Sequence, residues 1–176
     1  EKGIEVSIRN QKSYRQSDAA AAWTEKKLTA PDWAAIDDAA ISSYINDDTS
    51  SPEGYTDPWK PEYNSDPTTS ITVKWDEGAS NEEKLERIIT QKWIAMYPEG
   101  CEAWAEQRRT GYPRLFPVRF NHSKGQSIDT ETMIRRLPYP ATLETSDPEQ
   151  YEMLLKELGG PDHGGTRLWW DTGRNF

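Results

Sequence analysis

The strongest helical pattern in the chain runs from Ser80 to Tyr97. Leu85, Ile88, Ile89, Trp93, Met96 and Tyr97 recur at spacings of three and four, which places them on one stripe of a helix. Ser80 followed by Glu83 reads as a capping box, in which each residue's side chain satisfies the other's free backbone N–H. Pro98 to Gly100 stops the helix, since proline cannot continue it and glycine tolerates the turn. A second, shorter helix is predicted from about Cys101 to Arg109, with Ala103 and Trp104 inward and Arg108 one turn beyond Trp104. So short a connection predicts near-antiparallel packing, a helical hairpin that anchors the fold.

The rest of the chain alternates helices with long polar stretches. Ile4, Val6 and Ile8 alternate with Glu5, Ser7 and Arg9 at strand period, yet Ile4 and Ile8 also make a helical pair. Ser17 to Leu28 reads as a helix, with a Ser or Asp cap, an alanine run and lysines in its last turn. Pro31 starts another, with Trp33, Ile36, Ala40 and Tyr44 on one face. Residues 46–70 are rich in proline, Asp, Ser and Thr, and they carry Tyr55, Trp59 and Tyr63. Irregular segments of this length are usually functional or mobile. Ile71 to Trp75 predicts a short strand, Leu115 to Phe120 an extended run broken at Pro117, and 121–130 a polar loop. Asp147 or Pro148 opens a last helix, with Tyr151, Leu154, Leu155 and Leu158 on one face and Gly159-Gly160 at its end. The fold class is mainly α, with long irregular loops and a few short strands.

Composition narrows the function. The 176 residues suit one domain or part of a larger one. Only 34% are hydrophobic, and mean hydropathy is -0.94. Eight tryptophans and eight tyrosines against three phenylalanines suit sugar or protein surfaces as well as cores. A net charge of -9 argues against nucleic acid and against anionic lipid headgroups. The one cysteine, Cys101, excludes an internal disulfide and a cysteine-based zinc site, and it reads as a small buried hydrophobe. It lies mid-chain, so it is not a lipidated N-terminal cysteine. No stretch approaches the roughly 20 apolar residues of a membrane span.

No catalytic motif is present: no nucleophile elbow, zinc-protease helix, P-loop or dinucleotide fingerprint. His122 and His163 sit in separate polar loops without ligand spacing, and Asp162-His163-Gly164-Gly165 reads as a surface turn. Asp37-Asp38 and Asp47-Asp48 lack the register of a calcium loop and read as solvated helix and loop ends. No cofactor or metal is expected, with a structural calcium ion in an acidic loop left open.

Several stretches together resemble the SusD/RagB-like outer-membrane lipoproteins of Bacteroidetes. QKWIAMYPEGCEAWAEQRRTGYPRL is similar to the C-terminal signature of that family. RRLPYPATLE (Arg135 to Glu144) and GGPDHGGTRLWWD (Gly159 to Asp171) follow in the family's order, and EKGIEVSI and SSYINDDTSSPEGYTDP look like its preceding segments. The resemblance implies the C-terminal portion of a SusD-like, tetratricopeptide-containing α fold. Residues 1–79 would supply helices and the aromatic loop, and residues 80–176 the helical hairpin and signature segments. Signal peptide, lipid anchor and N-terminal helices would belong to a missing portion. It also implies a helix rather than a strand for residues 1–10. The framework role falls on Trp93, Trp104, Arg108, Arg109, Gly111, Tyr112, Pro113, Arg135, Arg136, Tyr139, Pro140, Trp169, Trp170 and Asp171. The two Arg-Arg pairs could also clamp an anionic sugar, but tying loops to the helices is the reading the resemblance favours.

What the resemblance implies for function is a surface-exposed lipoprotein of the cell outer membrane. It would capture an oligosaccharide and pass it to a SusC-like TonB-dependent transporter, without catalysis. Tyr55, Asp57, Trp59, Tyr63 and Asn64 are the candidate ligand contacts: aromatic planes for sugar C–H faces, and polar groups for hydroxyls. A glycoside hydrolase with a carboxylate pair is the enzyme alternative. A helical scaffold or peptide-uptake protein is the other, and the absence of a repeat near 34 residues argues against a solenoid.

Overall fold

The computed structural model describes residues 1–25, 35–123, 128, 130 and 132–176, with side chains over 1–13 and from residue 35 onward in these ranges. The predicted start at Pro31, the Trp33 position, the end of the Ser17–Leu28 helix and the middle of the 121–130 loop lie outside the described residues. Six helices and no strand occur among the described residues. They are α1 (Lys2–Glu25), α2 (Asp38–Ile45), α3 (Asn81–Ala95), α4 (Gly100–Thr110), α5 (Leu143–Ser146) and α6 (Pro148–Leu158). The chain forms two units, Glu1–Pro52 with Thr69–Trp104, and Glu53–Thr68 with Ala105–Phe176. The boundary falls within α4.

In the first unit, α1 is one unbroken helix, so the helical reading of residues 1–10 holds and Ser17 is interior rather than a cap. Glu5 explains part of this. It pairs with Lys2 and Arg9, both at 3.0 Å, at the three- and four-residue spacings that only a helix brings together. Arg9 also reaches Asp38 at 2.7 Å. α2 opens at Asp37, whose carboxylate accepts from Ala40 N–H at 2.8 Å. α3 has the predicted capping box: Glu83 Oε2 accepts from Ser80 N–H at 2.9 Å, and Ser80 Oγ accepts from Glu83 N–H at 3.3 Å.

Two expectations for this unit need correction, the strand at 71–75 and the burial of Cys101. α3 packs against α1. Lys92 to Glu102 at 3.4 Å links α3 to α4 near their turn. The buried line on α3 is Glu86 and Ile89, while Ile88 and Tyr97 stand exposed. Ile71–Trp75 is irregular, not a strand. Its backbone groups are met singly, Lys74 N–H by the Asp47 carbonyl (2.9 Å) and the Thr72 carbonyl by Arg87 Nε (3.0 Å), and no partner strand occurs among the described residues. Cys101 is exposed, because it sits in the polar first turn of α4.

The second unit is held by the arginine motifs. Buried Arg135 donates from Nε and Nη2 to both oxygens of buried Asp171 (Nη2 to Oδ1, 2.8 Å), and Arg167 donates to the same carboxylate at 2.7 Å. Arg135 and Arg108 each donate to the other's backbone carbonyl, and the Arg108 guanidinium lies 5.4 Å from the Trp170 ring centre. Arg136 pairs with Asp162 at 2.6 Å and covers Tyr139 at 4.6 Å, while Tyr139 N–H donates to the same Asp162. These contacts tie helix, loop and tail into one frame. Gly111, at φ +78, ends α4 in the left-handed region that favours glycine, and its N–H donates to the Gln107 carbonyl at 2.7 Å. Asp147 caps α6 through Gln150 N–H at 3.1 Å, and Tyr151, Leu154, Leu155 and Leu158 are half-buried, as the periodicity predicts. Arg109, by contrast, turns outward to Glu106 at 2.9 Å, and Trp169 is 92% exposed.

Candidate functional site

The proline-rich stretch of the second unit folds into a closed loop. Tyr55 N–H donates to the Ser65 carbonyl at 2.8 Å and Ser65 N–H to the Tyr55 carbonyl at 2.9 Å, an isolated antiparallel bridge. Gly54 lets the two sides approach, because a Cβ there would sit 2.6 Å from the Ser65 carbonyl oxygen. Inside the loop, Asp57 Oδ1 accepts from Trp59 N–H (2.9 Å) and Lys60 N–H (2.8 Å), an Asx turn. Its Oδ2 accepts from the Tyr55 hydroxyl at 3.0 Å, and Asp57 N–H donates to Asn64 Oδ1 at 2.8 Å. A 3-10 turn, Pro61–Tyr63, closes the far side.

These hydrogen bonds fix the electrostatics. The N–H groups of Trp59 and Lys60 hold the Asp57 carboxyl below its usual range, and the hydrogen bond to Asp57 pushes the Tyr55 hydroxyl up. The carboxylate therefore stays charged at neutral pH and pins the loop. What it presents is Trp59, 85% exposed. The structure thus brings Tyr55, Asp57, Trp59, Tyr63 and Asn64 into one loop but divides their work. Trp59 is an open aromatic plane, whereas Asp57 and Asn64 spend hydrogen bonds on the loop's own backbone.

Sequence reasoning missed the neighbours. Tyr55 meets Phe116 at 6.3 Å between ring centres, Tyr63 meets Phe120 at 5.7 Å, and Phe120 meets His122 edge-on at 4.3 Å. The sequence signal is the even spacing of residues 116, 120 and 122, although the chain bends at residues 119 and 120 between them. Arg119 Nε donates to Ser65 Oγ at 3.2 Å and Thr68 Oγ1 to the Arg114 carbonyl at 2.6 Å, so this run is fastened to the loop.

Other features lack this character. A cavity of about 1300 Å³ in the first unit is lined by Ile4, Ile8, Trp75, Ile88 and Ile94 among others. Its aromatic groups are already engaged, since Lys84 Nζ lies 5.9 Å from the Trp75 ring centre and the Tyr44 hydroxyl donates to Gln91 at 2.9 Å. Asp47 accepts from the N–H groups of Ser50 and Thr49, which hold it well below the usual carboxylate range, and Asp48 pairs with Lys74 at 2.7 Å. His163 accepts from Gly165 N–H at 3.0 Å within its turn. No group of three or more His, Cys, Asp or Glu placed to hold a metal ion occurs among the described residues. No helix among them is long and apolar enough to cross a membrane.

Residues 28–171 match a SusD-like family model, described as Susd and RagB outer membrane lipoprotein. No curated protein matches the chain. Among solved structures, it is similar to a chitin-binding SusD homologue from Flavobacterium johnsoniae. Identity is 39% over 97% of this chain and 34% of that one, with a TM-score of 0.66. A SusD homologue from Bacteroides uniformis is 43% identical over 87% of this chain and 29% of its own, with a TM-score of 0.65. One from Bacteroides vulgatus is 48% identical over 82% of this chain and 28% of its own, with a TM-score of 0.64. The chain spans about a third of the length of these relatives.

Proposed function

The chain belongs to the SusD-like family of outer membrane lipoproteins, and on that premise we propose that it carries glycan-binding surface of such a protein. The observation behind this reading is the Trp59 plane, exposed yet held by a braced loop. Sugar rings have apolar C–H faces that stack on aromatic planes, and their hydroxyls pair with polar groups alongside. Because the loop is ordered by its own hydrogen bonds, little entropy is lost on binding. The full-length protein would hold an oligosaccharide at the cell surface and pass it unchanged to a SusC-like TonB-dependent transporter. The similarity to a chitin-binding homologue makes chito-oligosaccharides the first probe.

Calorimetric titration of the full-length protein with chito-, malto- and xylo-oligosaccharides tests the reading, with new reducing ends assayed in the same samples. Saturable binding of one class without product supports it. Turnover would point to a hydrolase instead, and a folded protein indifferent to every glycan would overturn the reading.

A further inference from the structure

We infer that Phe120 and His122 form a second contact for the same glycan, so that the site reads an extended chain rather than a single terminal sugar. The inference rests on the glycan-binding reading and deepens it. Phe120 is 57% exposed although it has an aromatic ring on either side, Tyr63 at 5.7 Å and His122 at 4.3 Å. Phe116 and Tyr55, themselves 37% and 45% exposed, form a second pair across the same two segments. Two clusters of largely exposed rings on the same two segments, Tyr55 with Phe116 and Tyr63 with Phe120 and His122, mark an interaction surface more strongly than scattered apolar residues do.

The row is fixed before any ligand arrives. Arg119 and Thr68 fasten residues 114–119 to the loop, and beyond His122 the Asn121 side chain accepts from Ser123 N–H at 2.9 Å. Its rings are tilted to one another by 47° to 65°, not coplanar, and polar groups flank them: the tyrosine hydroxyls, Asn64 and the His122 imidazole. Such a surface suits a chain whose C–H faces turn from unit to unit with hydroxyls between them. It suits less well a flat aliphatic protein patch. Tyr63 connects the two contacts: its ring packs tilted against Phe120, and its hydroxyl accepts from Lys60, the residue after Trp59, at 3.3 Å.

The test is the dependence of affinity on chain length, measured on the full-length protein with chito-oligosaccharides from the disaccharide to the hexasaccharide. The wild type should tighten with length. Phe120→Ala and His122→Ala should each leave the disaccharide unchanged and lose roughly tenfold for the hexasaccharide, the order of one aromatic contact. His122→Ala removes a ring that meets Phe120 edge-on and leaves the loop's braces in place, so it guards against a folding artefact. Variants that follow the wild type at every length, or that weaken all lengths equally, would overturn the inference while leaving glycan binding intact. If the wild type binds malto- or xylo-oligosaccharides instead, the length series is run with that class; a wild type that binds no length of any of the three would overturn the parent reading and this one together.

Discussion

Arg135 and Asp171, 36 residues apart in sequence, meet as a buried fork-on-fork pair. Each is what makes the other tolerable away from water, since breaking a buried pair leaves an uncompensated charge. Asp171→Ala should therefore destabilise the chain by about 3 kcal/mol. Arg135→Lys should recover only part of the native stability, because an ammonium cannot reproduce the two-pronged contact. Arg167→Ala removes a half-exposed partner of the same carboxylate and should cost at most about 1 kcal/mol. Urea unfolding followed by tryptophan fluorescence ranks the three.

The same pair sets an acid limit. Burial alone would raise the Asp171 carboxyl, but hydrogen bonding and charge from Arg135, with the charge of Arg167, outweigh it and hold the group below its usual range. A depressed carboxyl contributes stability that is present above the unfolded value of about 3.9 and is lost as pH falls through the folded one. The melting-temperature gap between wild type and Asp171→Asn should stay constant from about pH 5 to 8 and close below about pH 4. A gap that widened in acid would contradict the assignment.

Two glycines should behave differently when replaced by alanine. At Gly111 a Cβ meets nothing within 4 Å, so the cost is only the left-handed backbone, about 1 kcal/mol, with binding untouched. At Gly54 the Cβ would press on the Ser65 carbonyl, so Gly54→Ala should open the loop. Hydrogen exchange at the Tyr55 and Ser65 amides checks this, with faster exchange expected in the variant.

In the proposed reading Asp57 acts on the ligand through the loop it braces. Asp57→Ala frees the Trp59 and Lys60 amides and the Tyr55 hydroxyl, so it should weaken glycan binding several-fold without much change in melting temperature. Asp57→Asn keeps one oxygen for the turn amides and should retain most of the affinity. Equal loss in both variants would point to direct contact with the ligand.

Much of this was legible in the sequence, and the failures share a cause. The capping box, the last helix and its glycine stop are local, and Ser80, Asp147 and Gly159 behave as the pattern says. The ordered arginine motifs pointed to a framework, and Arg135, Arg136 and Arg108 supply one, although Arg109 and Trp169 face outward. What stayed hidden depends on partners distant in sequence: α1 packing against α3, Asp47 and Arg87 meeting the backbone of 71–75, and Phe120 against Tyr63. Composition showed the Asp57 carboxylate but not which amides of its own loop it serves.

The most direct measurement is a comparison of the full-length wild type with Trp59→Ala in calorimetric titration with the oligosaccharide the wild type binds. Trp59 contributes almost nothing to packing, so the variant should melt with the wild type. Binding weakened by tenfold or more at unchanged melting temperature is the predicted result. Wild-type affinity in the variant would contradict the account and move the glycan away from this loop.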